Sequence, residues 1–514
     1  MIEKPTTSGV VGQKSIFSNY ILLFIRTFII AGIYFFSTVF IYRILSVEGV
    51  SRVAIYTAVL NGITGLFLIW PSTGFLQYGR EEFDQRRQVE KTFGSTLSVI
   101  TLLFVISTIA CILLRETVMT YIGLPAEWLW LLILNALFIM LNKTLIQVFY
   151  ITASIPVLCF LDVVEPSLML IFVVYIWMTM GTIPVTNYLL ISATLSAVTF
   201  FFYFLFLRKY ILPLKWSFLE LKRILRFSGF LYGAAIFTFI YDQFHYFIIK
   251  HFWQSDQVAY YSLSYRIFSF VIMLPLLSIN LIYPIMISYR NLGREDLFRS
   301  YSRRTVTQML FFWTTGCIAF LLVFPWLIPI FFGTAYSYSI PSLSLFCMAA
   351  VFQFTGACNS PIIISHERVD WSMKVGLIGT IIIAVGNLLL VPPLGISGAA
   401  LATLMSYVFN SLAYSYLTAI LIKERFKGYE LIMALFCLPM VLAILFQIPF
   451  AIRILIFILQ LSGMIVWSYK GGVFSTADLF FLEHISIPET VKKMIFIVFT
   501  WLEPKSKILR NIEP

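Results

Sequence analysis

Four ionisable side chains sit far inside apolar stretches of this 514-residue chain: Arg26, Lys143, Asp242 and Arg266. Counted inward from the ends of those stretches, each lies roughly 12 to 15 Å deep at ~1.5 Å of rise per helical residue. A charge at such depth costs about 2.5 to 3.5 kcal/mol on insertion scales, so the four together imply a polar interior cavity. Arginine offers a planar fork of donors that stays charged and suits phosphate oxygens. Asp242, the one carboxylate placed deep in a span, can carry a proton or, with hydroxyl and carbonyl oxygens, hold Na⁺. It shares a helix face with Thr238 and His245.

Around these charges lie polar stripes at helical spacing. Arg26 repeats with Asn19 at i, i+7, beside Thr27, Tyr34 and Thr38, which together would form a cavity wall. Arg266 shares a face with Ser262 and Ser269, and Lys143 follows Asn142 and precedes Gln147 by one turn. Thr57, Asn61 and Thr64 on one run, and Thr403, Tyr407, Asn410 and Tyr414 on another, could line a path for sugars. Each pattern has a plainer reading as well: a basic side chain that pairs with Asp242 or snorkels, and hydroxyl stripes that knit helices together.

The elements that must position these residues follow from composition. The chain is 60% hydrophobic and 12% charged, with a net charge of +12. Soluble domains carry roughly 25% charged residues, so this is a membrane protein. Fourteen apolar runs of about 20 residues can be marked off, separated by turn chemistry such as Gly181-Thr-Ile-Pro184 and Pro392-Pro393-Leu-Gly395. The expected architecture is an all-α polytopic protein of fourteen transmembrane helices. Too little chain remains for a soluble catalytic domain. The basic residues alternate between apolar runs instead of clustering on a soluble face, which argues against nucleic acid. Sorting Lys and Arg over alternate loops leaves only Arg43, Arg52, Arg115, Lys250 and Arg453 on the poorer side. By the positive-inside rule both termini are then cytoplasmic.

Six cysteines lie in or beside apolar runs without a CxxC pair and read as buried thiols, while His251, His366 and His484 lack metal-ligand neighbours. No metal site, catalytic residue or cofactor is expected, apart from a coupling H⁺ or Na⁺. The first two spans and spans seven to eight share a layout of long span, short outer turn, Tyr-bearing span and basic loop. The fifth spans match too, Asp162 and Asp370 each opening an apolar run. We infer two six-span lobes, residues 16–223 and 224–423, after a cytoplasmic segment 1–15. A helix pair at 424–470 and a cytoplasmic amphipathic tail at 471–514 follow. Because six is even, the lobes are parallel repeats enclosing a midplane site that opens alternately to each side.

Four segments carry a resemblance. Arg43-Ile-Leu-Ser-Val-Glu-Gly49 with its Tyr-containing second span is similar to the opening of Wzx-type polysaccharide flippases, departing from it at Ser46 and Ser51, where the family usually has Gly. Tyr260-Tyr-Ser-Leu-Ser-Tyr-Arg266, Phe331-Phe-Gly-Thr-Ala-Tyr336 and the stretch from Val391 to Asn410 resemble later motifs of that family, in order, over about residues 16 to 423. The resemblance implies a MATE-like fold within the multidrug, oligosaccharidyl-lipid and polysaccharide exporter superfamily. It implies ion-coupled export of an undecaprenyl-diphosphate-linked oligosaccharide, an O-antigen, capsule or exopolysaccharide unit, across a bacterial plasma membrane. Membrane lipid, a polysaccharide polymerase and other assembly proteins would be its partners.

On this reading Arg26, Arg266 and Lys143 meet the diphosphate, with Tyr34, Asn61, Tyr407 and Asn410 on the sugars. Related lipid II flippases resemble this chain at Arg266, where they carry a cavity arginine. Related flippases also couple through an acid on span seven with groups on spans eleven and twelve. Here those positions are Asp242 with His245, Asn387 and Thr403, and Asn387 stands where a second acid would be expected. The alternatives are a MATE-type cation-coupled drug exporter, whose cavity should favour acids, and a passive scramblase. A polyprenyl-dependent glycosyltransferase or an O-antigen ligase or polymerase fits less well, since no outer loop is long enough to carry catalytic carboxylates.

Overall fold

In a lipid core every backbone N–H and C=O must be satisfied within the segment that carries it, which leaves helices as the element an apolar chain of this kind can form. The computed structural model describes residues 8–470 and 473–474, and among them all regular structure is helical. The first helices in chain order are α1 (Ser8–Ile44), α2 (Val47–Ile63), α3 (Pro71–Arg86), α4 (Glu90–Leu113), α5 (Arg115–Ile122), α6 (Leu129–Ile151), α7 (Ile155–Thr179) and α8 (Val185–Ile211). They are followed by α9 (Phe218–Phe252), α10 (Ser255–Asn291), α11 (Glu295–Ser300), α12 (Val306–Phe332), α13 (Ile340–Ser365), α14 (Val369–Leu421), α15 (Tyr429–Leu445) and α16 (Phe450–Lys470). Nine helices among the described residues are long and apolar enough to cross a membrane, and a bent pair makes a tenth. The chain is thus a multi-pass membrane protein. The amphipathic tail expected at 471–514 lies outside the described residues, save 473–474.

The irregularities have local causes. α2 and α3 meet at a 46° bend. A π-helical turn over Thr64–Ile69 loosens the backbone ladder there, and Pro71 supplies no N–H. α14 is broken at Gly395, whose φ of 59° and ψ of −136° are open only to glycine, just after Pro392 and Pro393. The break deprives the Val391 carbonyl of its helical donor, and Trp253 Nε1 supplies one at 2.8 Å. Gly398 is needed for the same fold-back, because a Cβ there would stand 2.1 Å from the Leu390 carbonyl oxygen. At the start of α2, Ser46 holds extended dihedrals (φ −63°, ψ 160°) and its hydroxyl accepts the Gly49 N–H at 3.0 Å. That turn is therefore closed by a serine N-cap, with no need for the family's glycine.

The chain divides into two compact units. The first runs from α1 through Leu263 and includes Ile330–Tyr336 and Asn387–Ala399. Within it α1 lies along α7, α6 along α8, and α3 is wedged against α4, α6 and α9. A buried cluster of Phe75, Phe93, Val148, Phe149, Leu158 and Tyr203 joins α3, α4, α6, α7 and α8. The second unit holds Ser264–Pro329, Ser337–Gly386 and the chain from Ala400 onward. α13 is its most enclosed helix, and it can be so because Ser342, Ser344, Ala349, Ala350, Gly356 and Ala357 let neighbouring backbones approach. Large apolar side chains such as Leu113, Ile171, Leu389 and Leu455 face outward, as lipid allows. All six cysteines are free thiols.

Candidate functional site

The most charged interior of the first unit is assembled by α1, α6, α7 and α8. Arg26 on α1 forms a hydrogen-bonded ion pair with Asp162 on α7, and the Tyr203 hydroxyl of α8 donates to the same carboxylate. The Asp162 side chain is 6% exposed and that of Arg26 20%, so both are shielded from bulk solvent. One turn beyond Asp162, Glu165 accepts from Ser196 Oγ at 2.9 Å, and Thr199 faces the same carboxylate. Asn142 of α6 donates to the Ser196 carbonyl at 2.9 Å and ties α6 into the site. Lys143, exposed on the next position of α6, acts electrostatically on both acids, as Arg26 does on Asp162. Pro166 follows Glu165 and lacks the N–H that would bond the Asp162 carbonyl, leaving one more acceptor in this part of α7.

This arrangement corrects one expectation. Asp242 is not the sole deep carboxylate: Asp162 and Glu165 lie about 10 and 15 Å from the start of α7 at ~1.5 Å per residue. Their sequence signal is two acids at i, i+3 in an otherwise apolar run, of which the sequence reading takes only Asp162, as the opening of span five. The partner of Arg26 is Asp162, which sits one helix away on α7. Tyr34, 49% exposed on α1, lies within the electrostatic reach of both acids. The structure therefore brings Arg26 together with four residues that sequence reasoning did not place in the site, Asp162, Glu165, Tyr203 and Ser196, with Tyr34 and Lys143 within electrostatic reach of the acids.

The other candidates lie elsewhere. His245 is fully buried on α9, its ring 4.5 Å from that of Tyr246 and 4.7 Å from that of Tyr261, with half-buried Asp242 one turn before it. Asn387 and Thr403 are each 1% exposed, eight residues before and after the Gly395 break. Asn61 is exposed on α2, while the neighbouring Thr57 and Thr64 hydroxyls return to carbonyls of their own helix at 2.8 Å. In the second unit Arg266 is half-buried on α10. Tyr407 packs edge-on to Phe268, which stacks on Phe346 with ring centres 4.8 Å apart. Asn410 fills the notch over Gly379, where a Cβ would come within 2.4 Å of its side-chain oxygen. Ser262, the proposed face-mate of Arg266, is committed to the Tyr42 hydroxyl at 2.7 Å.

Three of the four segments that carry the family resemblance meet in the first unit. Arg43 donates through Nε to the Phe331 carbonyl at 2.7 Å and through a second nitrogen to that of Ile330. The Tyr42 ring lies 5.0 Å from Tyr336, which in turn meets Tyr260 at 6.0 Å. Arg43 thus caps carbonyls at the end of α12, and the motif residues act here as packing between distant segments.

No protein family's sequence model matches the chain, and no curated protein matches it either. Solved structures do. A lipid II flippase MurJ in an inward closed conformation superposes with a TM-score of 0.68 at 15% identity, covering 88% of this chain and all of that one. An inward-facing multidrug resistance MATE family transporter of the MOP superfamily gives 0.62 at 15% identity over 76% of this chain and 94% of its own. A MOP superfamily transporter from Pyrococcus furiosus with a binding pocket of reversed polarity gives 0.55 at 16% identity over 79% and 95%. At such identities the likeness establishes the fold, which is the MATE- and MurJ-like one expected from sequence. These three proteins of that fold are a flippase and two transporters.

Proposed function

We propose that this chain is a flippase of the MOP superfamily that carries a polyprenyl-diphosphate-linked oligosaccharide across a bacterial plasma membrane. The observation that carries this reading is the fold it shares with a lipid II flippase over the whole of that protein. In this reading the chain crosses fourteen times with both termini cytoplasmic, and residues 16–223 and 224–423 act as lobes in alternating access. The pair 424–470 is an addition. Arg266, Arg26 and Lys143 hold the diphosphate, and Tyr34, Asn61, Tyr407 and Asn410 serve the glycan. Asp162, itself held by Tyr203, engages one terminal nitrogen of the Arg26 fork, which leaves the other terminal nitrogen as its free donor for phosphate, Nε being buried without a protein partner. Asp242 couples the cycle to a proton or Na⁺ gradient, with His245, Asn387 and Thr403 as the further coupling residues.

A second reading, cation-coupled export of a lipophilic cation, is favoured by one observation. Asp162 and Glu165 offset Arg26 and Lys143 in the first unit, so that interior is not the net positive one a diphosphate alone would select. Proteoliposomes separate the two. Polyprenyl-diphosphate oligosaccharide is loaded, a proton or Na⁺ gradient imposed, and exposure to an impermeant glycosidase followed. Gradient-dependent exposure that is lost in Arg266→Ala supports the flippase. Absence of exposure with several glycans, alongside transport of a lipophilic cation, overturns it in favour of the exporter.

A further inference from the structure

A cavity of about 70 Å³ lies wholly within the second unit, among the start of α12, the last turns of α13 and α14, and the loop that enters α15. It is on the Lys/Arg-rich edge of the chain, and neither reading above uses it. Gly428, left-handed at φ 58°, turns the loop into α15 and directs Glu430 inward, where it is 3% exposed. Thr355 and Asn359 of α13 are also 3% exposed and line the same space. Asn359 donates through Nδ2 to Ser415 Oγ at 3.1 Å, and Ser415 faces the Glu430 carboxylate. That leaves three buried oxygens without a protein partner: Thr355 Oγ1, Asn359 Oδ1 and Glu430 Oε1. Buried acceptors are nearly always satisfied, and here one of them is a carboxylate oxygen.

Three unpartnered oxygens on residues that line one cavity, one of them on a carboxylate, match in number the three N–H donors of a primary ammonium. The rim decides what that ammonium is attached to. Arg303, Arg425 and Lys427 line the cavity and are exposed, outnumbering the half-buried Glu424 beside them. A bare metal cation would be repelled by them and gain nothing from their donors, whereas a zwitterion with a phosphate close to its ammonium uses both the interior and the rim. At a membrane edge the abundant source of that chemistry is a phospholipid headgroup. We propose that this cavity binds the headgroup of an ethanolamine phospholipid, its ammonium on Glu430, Asn359 and Thr355 and its phosphate on Arg303, Arg425 and Lys427. None of the residues lining the cavity is given a transport role above, so the proposal stands independently of what is carried.

The test is thermal unfolding of the full chain in detergent, titrated with phosphatidylethanolamine or with phosphatidylcholine of the same acyl chains. Phosphatidylethanolamine is expected to raise the midpoint at concentrations about tenfold below those needed of phosphatidylcholine, whose quaternary ammonium has no N–H to donate. Glu430→Gln should remove that preference, and the exposed-loop variant Arg425→Ala/Lys427→Ala should weaken both lipids while folding normally. Equal effects of the two lipids, or an unaltered response in the loop variant, would overturn the proposal. So would stabilisation by O-phosphoethanolamine as strong as by the lipid, which would assign the site to a soluble ligand. Stabilisation by NaCl over KCl without lipid, lost in Glu430→Gln, would make it a cation site instead.

Discussion

Arg26 and Asp162, 136 residues apart in sequence, are joined in an ion pair between α1 and α7 that Tyr203 completes from a third helix. In a medium with little water, each charge is tolerable because the other is there. Breaking such a pair costs more than removing it whole, since the survivor is left buried and uncompensated.

Arg26→Leu and Asp162→Leu should therefore each destabilise the protein by on the order of 3 kcal/mol, and the double substitution by far less. A double-mutant cycle on thermal or denaturant unfolding in detergent measures this. Additive losses would show that the pair does not hold α1 to α7.

Gly398→Ala should be strongly destabilising, because its Cβ would meet the Leu390 carbonyl oxygen at 2.1 Å and backbone has nowhere to go. Gly395→Ala should cost about 1 to 3 kcal/mol through its dihedrals. Gly376→Ala, in the same helix but facing open space, should be neutral or gain up to about 1 kcal/mol. The order of melting temperatures across the three variants is the readout.

Ser46→Ala removes the acceptor for the Gly49 N–H and should lower stability by about 1 kcal/mol, with Ser46→Asp close to wild type. A glycine at 46, as in the resembling family, should cost only a few tenths. Equal stability of the alanine and aspartate variants would dismiss the cap.

Asp242→Asn should abolish dependence of transport on the ion gradient while leaving substrate binding within about threefold of wild type, since the carboxylate is proposed to carry the ion and not the glycan. Transport in proteoliposomes with and without a gradient tests it. Gradient dependence that survives in Asp242→Asn but vanishes in Glu165→Gln would move coupling to the acids of α7.

Much of the fold was legible because hydropathy and turn chemistry are properties of short stretches. Runs of apolar residues became helices where expected, and Pro392 to Gly395 breaks α14 at the predicted turn, since proline and glycine act on their own backbone. The four motif segments were visible in order, although nothing local shows that Arg43 reaches the end of α12 or that Tyr42, Tyr260 and Tyr336 gather.

The candidate site divides along the same line. By itself the sequence determined that this is a polytopic helical membrane protein and that Arg26, Lys143, Asp242 and Arg266 are costly enough to need a polar setting. That cost is paid residue by residue along one helix and can be counted without knowing the neighbours. The tertiary structure decided which charge answers which: that Arg26 meets Asp162 because α1 lies along α7, that Tyr407 goes to an aromatic stack, and that Asn410 fits over Gly379. Pairing depends on which helix faces are brought within a few ångströms of each other, and spacing along a single helix carries no record of that.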